Sequence, residues 1–155
     1  MIPGVLITPL KQIPDERGQV MHMLKATDAH FSGFGEIYFS VVNPGAIKAW
    51  KKHLQMTLNL AVIHGAAKLV VHDDQSGTFQ EIVLGPENNY SLVTVPPGLW
   101  TGFIGVSPQP ALLANCASLP HDPTKWNAKR RMIRGLLTDG SEPHECRCIA
   151  SRMRF

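Results

Sequence analysis

Short runs of apolar and β-branched residues recur along the chain and predict β-strands. Turns rich in Gly, Pro, Asn and Asp separate these runs, and Asn43-Pro44-Gly45 is a clear example. The predicted strands cover residues 35–42, 57–63, 68–72, 78–84, 90–95, 103–106 and 111–116. Helical patterns are limited to residues 27–30 and 125–134. Short strands at regular intervals indicate an antiparallel sandwich or barrel, so we predict a mostly β, jelly-roll-like fold.

The composition is that of a folded domain. Hydrophobic residues make up 44% of the 155 residues and charged residues 17%, which argues against wholesale disorder. The 13 glycines and 12 prolines favour many turns over long helices. We expect a single barrel domain over residues 1–136, followed by a basic C-terminal tail over residues 137–155.

The positive charge is concentrated at the C-terminal end. Residues 125–155 hold eight of the 15 basic residues and three of the 12 acidic residues, so the preceding part is nearly neutral. A nucleic-acid-binding surface needs a basic face with interleaved aromatic side chains, and this segment offers only Trp126 and Phe155. We therefore expect no nucleic-acid partner and interpret the basic end as a solvated or subunit-packing tail.

The sequence also bears on the cellular compartment. No apolar run reaches the ~20 residues of a membrane-spanning helix, and no basic stretch precedes an apolar core at the N-terminus. The cysteines are Cys116, Cys146 and Cys148, an odd number that fits free thiols in a reducing environment. We expect a cytoplasmic protein with no membrane segment.

Lys51 and His53 form the most informative polar pair of the chain. Because side chains alternate along a strand, these two lie on one face and Lys52 on the other. A histidine near its ordinary pKa of ~6.5 can take a proton from the carbon beside a sugar ketone. The lysine can then stabilise the oxyanion that forms. The alternative is a solvated basic strand end with a hydrogen-bonded core histidine.

Several blocks of the chain, in this order, resemble the cupin-fold nucleotide-sugar isomerases of the dTDP-4-dehydrorhamnose 3,5-epimerase family. The blocks are Asp15-Glu16-Arg17-Gly18, Gly35-Glu36-Ile37-Tyr38-Phe39-Ser40, Lys48-Ala49-Trp50-Lys51-Lys52-His53, Leu69-Val70-Val71-His72-Asp73-Asp74-Gln75, Pro96-Pro97-Gly98 with Gly102-Phe103, and Asn115-Cys116 with His121-Asp122-Pro123. They extend from about residue 5 to about residue 126. The resemblance implies a cupin-like jelly-roll barrel with little helix, a homodimer, and an isomerase or epimerase without a cofactor. The implied substrate is a nucleotide-linked 4-keto-6-deoxy sugar.

Three positions depart from the family pattern. Lys51 stands where active members have a histidine base, and Thr101 replaces the histidine of a His-Gly-Phe motif. The tyrosine that serves as general acid in the family has no counterpart near Ala114 or in residues 119–121. The fold therefore transfers more directly than the 3,5-epimerase activity.

These observations give a set of candidate site residues. We predict His53 as the base, Lys51 as the oxyanion stabiliser and His121, in a proline-bounded loop, as the acid. Arg17 is expected to bind the diphosphate, because a guanidinium binds phosphate oxygens in a bidentate way. Trp100 is expected to line the pocket, and Trp50 to lie either in the pocket or in the core. The other substrate-binding candidates are Glu36, Tyr38, Asn59 and Asn115.

Two other functions stay open. Metal-binding cupins use a His-x-His pair, a carboxylate and a distant histidine, but Lys51 and Thr101 occupy two of those positions here. We therefore predict no metal site, since one histidine cannot supply three or four ligands. A metal-dependent dioxygenase is the weaker alternative. The stronger one is a non-catalytic module that binds a nucleotide sugar but has lost the base and the acid.

Overall fold

The computed structural model of the protein describes residues 1–122, residue 124 and the backbone of residues 126–128. Over these residues the chain forms twelve strands and no helix, which confirms the predicted all-β class. The strands are β1 (Leu6–Pro9), β2 (Gln12–Asp15), β3 (Gly18–Met21), β4 (Glu36–Val42), β5 (Ile47–His53), β6 (Leu58–His64), β7 (Ala67–Asp73), β8 (Thr78–Leu84), β9 (Ser91–Val95), β10 (Trp100–Gly105), β11 (Ala111–Ala117) and β12 (Trp126–Ala128).

The strands form two antiparallel sheets and a separate hairpin. Sheet I has the order β1-β9-β6-β11-β4, and sheet II has the order β12-β5-β10-β7-β8. The hairpin consists of β2 and β3. From β4 to β11 the chain passes repeatedly from one sheet to the other, which is the jelly-roll arrangement that the sequence predicts.

Apolar side chains fill most of the space between the two sheets. Alternation along each strand sends every second side chain to this inner face. The inner face of sheet II carries Leu69 and Val71, and that of sheet I carries Leu60, Val93 and Leu113; none of these is more than 3% exposed. Burial of each such side chain stabilises the fold by roughly 1.5–3 kcal/mol. A ligand must therefore bind at the polar part of the interior, away from this core.

A β-bulge in β5 changes which side chains reach the interior. Lys51 pairs with Thr101 of β10, whereas Lys48 pairs with Phe103, so three steps along β5 match two along β10. A β-carbon on Gly102 would lie 2.7 Å from the Ala49 side chain, so glycine is required opposite the bulge. As a result, Lys48 and Lys51 lie on the same face of sheet II, the face that carries Phe103.

The gap between β4 and β5 is termed the barrel opening. These strands are joined by the turn Asn43-Pro44-Gly45, in which Gly45 adopts a φ of +69° that favours glycine. β4 is the outermost strand of sheet I, and β5 is the penultimate strand of sheet II, next to β12. The inner-face side chains of β4 and β5 therefore border the gap between the sheets.

The two segments predicted as helical are not helical where the structure describes them. Residues 27–30 form turns in which Asp28 accepts a hydrogen bond from the Lys25 amide (2.8 Å), and an isolated turn of this length cannot sustain a helix. Residues 126–128 form β12, whose pairing with β5 outweighs the helical pattern. The other residues of the segment from 129 to 134, the predicted tail at 137–155, and Cys146 and Cys148 lie outside the described residues. The described part of the chain contains no helix long and apolar enough to cross a bilayer.

Candidate active site

β5 places Lys51 and His53 on the inner face of sheet II. Lys51 pairs with Thr101, which in turn pairs with the core residue Val71, so all three share this face. His53 lies two residues further along and is 8% exposed, whereas Lys51 is exposed. The Thr101 hydroxyl donates to the Lys51 carbonyl (3.2 Å) and fixes the end of β5 against β10.

The surroundings of His53 keep its imidazole neutral. Burial lowers the pKa of His53 most, and the like charges of Lys51 and His121 lower it further. The Glu36 carboxylate opposes this shift. Below its folded pKa the ring would carry a proton, so at neutral pH His53 is free of that proton and can accept one.

Lys48 adds a second cation to the inner face. Burial and the neighbouring charge of Lys51 both lower the pKa of Lys48. Two ammonium groups that face one opening create a positive potential suited to an anionic ligand. Strict alternation along β5 would send Lys48 to the face of Lys52, so the sequence does not predict this position, which depends on the bulge.

Tyr38 and Asn115 form the facing wall on sheet I. Tyr38 of β4 pairs with Asn115 of β11, which pairs with the core residue Leu60. The Asn115 amide nitrogen donates to the Tyr38 hydroxyl (2.8 Å), and the Asn115 carbonyl oxygen accepts from the Asn59 backbone amide (3.1 Å). Burial raises the pKa of Tyr38, and the negative charge of Glu36 raises it further, whereas the hydrogen bond from Asn115 lowers it. Because the net shift is upward, the phenol stays protonated at neutral pH.

The loop after β11 closes one end of this group. A crevice there is lined by His53, Gln55, Met56, Leu119, Pro120 and Asp122. Gly35, just before β4, lets the backbone there pack closely against this loop, because a β-carbon on residue 35 would lie 2.0 Å from the Leu119 carbonyl carbon. Asp122 accepts hydrogen bonds from the amide (2.9 Å) and the hydroxyl (2.7 Å) of Thr124. His121, which is exposed, is near enough for its charge to act on His53.

The structure places both predicted tryptophans away from this group. Trp100 pairs with Lys52 and with His72, whose side chains lie on the outer face of sheet II. Trp50 and Trp100 belong to an outer cluster with Val70 and Ile104 and are 4% and 2% exposed. This register places Trp100 on the opposite face from Lys51 and His53, since a strand cannot present neighbouring residues to the same face.

Asn59 and Arg17 also lie apart from the Lys51–His53 face. Asn59 is fully buried; its amide nitrogen donates to the Cys116 carbonyl (3.1 Å) and its carbonyl oxygen accepts from Thr94 (2.8 Å). These bonds make Asn59 a link between β6, β9 and β11. Arg17, on the β2–β3 hairpin, has a side chain that is 83% exposed and pairs with Asp15 at 2.8 Å.

A metal site would need several His, Cys, Asp or Glu side chains grouped together. Over residues 1–122 and 124, no three His, Cys, Asp or Glu side chains are grouped closely enough to hold a metal ion. His53 shares its face with Lys51 rather than with a second imidazole. The arrangement instead combines a neutral imidazole, ammonium groups, a carboxylate and a phenol, which are the groups of proton-transfer chemistry.

Comparison with known proteins identifies relatives of this chain. No protein-family model matches it. A dTDP sugar isomerase from Desulfovibrio desulfuricans G20 is 41% identical, with a TM-score of 0.79 over 82% of this chain and 84% of that one. A probable low-salt glycan biosynthesis epimerase, Agl13 of Haloferax volcanii, is 26% identical over 121 residues, which cover 74% of this chain and 77% of that protein.

A more distant structure shares the fold. ChmJ, a 3'-monoepimerase from Streptomyces bikiniensis in complex with dTDP-quinovose, is 17% identical, with a TM-score of 0.72 over 81% of this chain and 69% of that one. The likeness at this identity concerns the barrel, and the family assignment rests on the isomerase from Desulfovibrio. The chain belongs to the cupin-fold family of dTDP-sugar isomerases and epimerases.

Proposed function

We propose that the protein is a metal-independent epimerase or isomerase that acts on a nucleotide-linked 4-keto-6-deoxy sugar. The observation that carries this proposal is the shared inner face of Lys51 and His53, with Glu36 near enough for its charge to act on His53. The reaction begins with removal of a proton from the carbon beside the ketone. Such a proton is acidic only if the negative charge that moves to the ketone oxygen is stabilised.

His53 and Lys51 divide this work. The neutral imidazole of His53 takes the proton from carbon 3 or carbon 5 of the sugar, and the Lys51 ammonium stabilises the enolate oxygen at carbon 4. The positive charge of Lys51 serves both steps, because it lowers the pKa of His53 and attracts the developing anion. His121, predicted as the acid, lies near enough for its charge to act on His53.

The cationic inner face supports a nucleotide diphosphate as the other half of the ligand. Lys48 and Lys51 would attract its phosphates, while Glu36 and Asn115 supply polar groups for the sugar. Arg17 lies on the exposed β2–β3 hairpin, outside both sheets. We keep Arg17 in the proposal as a phosphate-binding residue that this hairpin contributes to its own site or to that of a second copy.

A homodimer is part of this proposal. β4 is an outer strand whose second edge pairs with no other strand of the described residues, and its outward side chains Ile37, Phe39 and Val41 are 48%, 56% and 56% exposed. An apolar open edge of this kind is normally covered by another chain, and a two-fold dimer is the commonest solution. We also propose that the protein works in the cytoplasm, where the buried thiol of Cys116 would stay reduced.

Hydrogen exchange with solvent tests the proposed activity. Incubation with dTDP-4-keto-6-deoxyglucose in deuterated water is expected to place deuterium at carbon 3 or carbon 5, detected by NMR and mass spectrometry. His53→Ala should slow this exchange by roughly 10²-fold or more, the usual contribution of a general base. His72→Ala is the matched control, because His72 is equally buried but stacks on Phe79 on the outer face. Exchange at the wild-type rate in His53→Ala would contradict the proposal.

One observation favours the binding-module alternative. Lys51 occupies the position of the family's histidine base, so the wild-type protein has one imidazole on this face of β5 where two would be expected. A module would bind dTDP or the keto sugar, measured by calorimetry, and would leave the sugar protons unexchanged. That result in the wild-type protein would replace the enzyme with the module.

A further inference from the structure

Epimerisation requires two proton-transfer groups on opposite sides of the sugar. Loss of the proton leaves a flat enolate, and inversion follows only if the new proton arrives on the other face. This inference rests on the proposed function and concerns how the site achieves inversion. We propose that Tyr38 is the proton donor that faces His53 across the barrel opening, in the role that the sequence analysis assigned to His121.

The two residues lie on opposite walls. His53 ends β5 in sheet II, whereas Tyr38 lies on β4 in sheet I, and both have inner-face positions. A ligand in the gap between these sheets would have one wall on each side. The strand order therefore places the base and the phenol on different sheets, both with inner-face positions.

The two residues also lie at the same end of the barrel. Leu58, five residues after His53, pairs with Ala117, which pairs with Glu36 at the start of β4. Reciprocal hydrogen bonds between Thr57 and Ser118, at 2.9 and 3.0 Å, fix this crossing from sheet II to sheet I. Tyr38 is two residues along β4 from Glu36 and shares its face, which brings it to the level of the polar group.

Asn115 sets the Tyr38 hydroxyl to donate. The Asn115 carbonyl oxygen is occupied by the Asn59 amide, so its NH₂ group must be the one that meets Tyr38 at 2.8 Å. Tyr38 accepts that hydrogen bond with a lone pair of its oxygen. The phenolic proton is not used in this bond and can be directed into the opening, where Tyr38 is 38% exposed.

The charges around the site suit a neutral base and a neutral acid. Burial and Glu36 raise the pKa of Tyr38 against the effect of Asn115, whereas burial, Lys51 and His121 lower the pKa of His53. Both groups are thus in the protonation state that inversion needs near pH 7. Enzymes commonly separate an acid from a base by such opposite environments.

His121 is less well placed for this role. It precedes Asp122, which lines the same crevice as His53, and its charge acts on His53. A donor beside the base would return the proton to the face that lost it, giving exchange without inversion. Tyr38, on the facing sheet, avoids this outcome.

The test separates exchange from inversion. Wild-type protein, Tyr38→Phe, His121→Asn and Tyr90→Phe are incubated with dTDP-4-keto-6-deoxyglucose in deuterated water, and both deuterium content and sugar configuration are measured. Tyr90→Phe is the matched control, because Tyr90 is the only other tyrosine and its hydroxyl donates to the His22 carbonyl (2.9 Å). Thermal melts establish that each variant is folded.

We expect Tyr38→Phe to keep deuterium exchange within a few-fold of wild type and to lose inversion by roughly 10²-fold or more. Tyr90→Phe and His121→Asn should keep the wild-type ratio of inversion to exchange. An unchanged ratio in Tyr38→Phe, or a loss of inversion in His121→Asn alone, would overturn the assignment while leaving the proposed activity intact. Absence of exchange in the wild-type protein would remove both.

A second measurement covers the case in which Tyr38→Phe does not fold. In the Tyr90→Phe background, growth with 3-fluorotyrosine labels Tyr38 alone and makes its phenol more acidic. In the pH profile of the inversion rate, the decrease at alkaline pH should then move to lower pH, while the exchange rate stays the same. A decrease at the same pH in labelled and unlabelled protein would rule Tyr38 out as the donor.

Discussion

Lys51 and Lys52 are neighbours in sequence but belong to different environments. The Lys52 ammonium lies 2.8 Å from the Asp74 carboxylate and 5.6 Å from the centre of the Trp100 ring, on the outer face of sheet II. Asp74 also accepts a hydrogen bond from the Trp100 indole (3.0 Å). Lys51 points to the inner face, where the imidazole of His53 and the ammonium group of Lys48 are among its neighbours.

The difference shows how one strand serves two purposes. On the outer face a cation meets a carboxylate and an aromatic ring, which neutralises its charge and stabilises the sheet. On the inner face two cations lie beside an imidazole whose pKa is lowered, an arrangement suited to binding an anion. Titratable groups with shifted pKa values gathered on one face are a mark of a functional site.

Exchanging each lysine for glutamine should separate the two roles most clearly. Lys51→Gln is expected to slow deuterium exchange by roughly 10²-fold, because the enolate oxygen loses its charged partner, while the melting temperature changes little. Lys52→Gln should keep the exchange rate and destabilise the fold by roughly 1 kcal/mol or less, the range for a partly exposed ion pair. Rates come from NMR and stability from urea unfolding.

Equal losses of deuterium exchange in Lys51→Gln and Lys52→Gln would contradict the assignment of Lys51 to the site and of Lys52 to the outer face. So would a large loss of stability in Lys51→Gln, since that would mean that Lys51 holds the barrel together.

A smaller effect concerns the outer face at low pH. The hydrogen bonds from Lys52 and Trp100 lower the pKa of Asp74 to about 2. A carboxyl group with a depressed folded pKa stabilises the protein above the unfolded pKa of ~3.8, and this contribution is lost as the pH falls toward 2. Asp74→Asn should therefore show a shallower fall of melting temperature between pH 4 and 2 than the wild-type protein.

Glu87→Gln, on the exposed turn after β8, is the matched control and should follow the wild-type curve. An identical acid profile in Asp74→Asn and wild type would show that the Lys52–Asp74–Trp100 group contributes nothing to stability.

The apolar runs were sufficient to predict most strands. The prediction of residues 57–63 and 78–84 comes within one residue of β6 and β8, because each run is bounded by strong turn residues. The predicted ranges include no counterpart of β1, β2, β3, β5 or β12. β1, β2, β3 and β12 are three or four residues long, and periodicity cannot be read from so few positions. β5 contains three lysines and lacks a continuous apolar run, so only the alternation of Lys51 and His53 assumes a strand there.

The orientation of side chains was harder to predict. β10 is apolar or small at nearly every position, so its sequence gives no contrast between inner and outer faces and does not predict the outer position of Trp100. The bulge in β5 depends on the contact between Gly102 and Ala49 and is not visible in local sequence. Tyr38 and Asn115 could be placed near the site by resemblance, but their hydrogen bond depends on strand register.

The pH dependence of deuterium exchange in wild type, Lys51→Gln and Lys52→Gln tests the central claim most directly. If His53 is the base and Lys51 faces the same sugar, the wild-type rate rises with a midpoint below the ordinary histidine pKa of ~6.5, because its folded pKa is lowered. Removal of the Lys51 charge should move this midpoint to higher pH and lower the plateau, while Lys52→Gln should overlay the wild-type curve. A midpoint that stays in place in Lys51→Gln, or moves equally in both variants, would contradict the account.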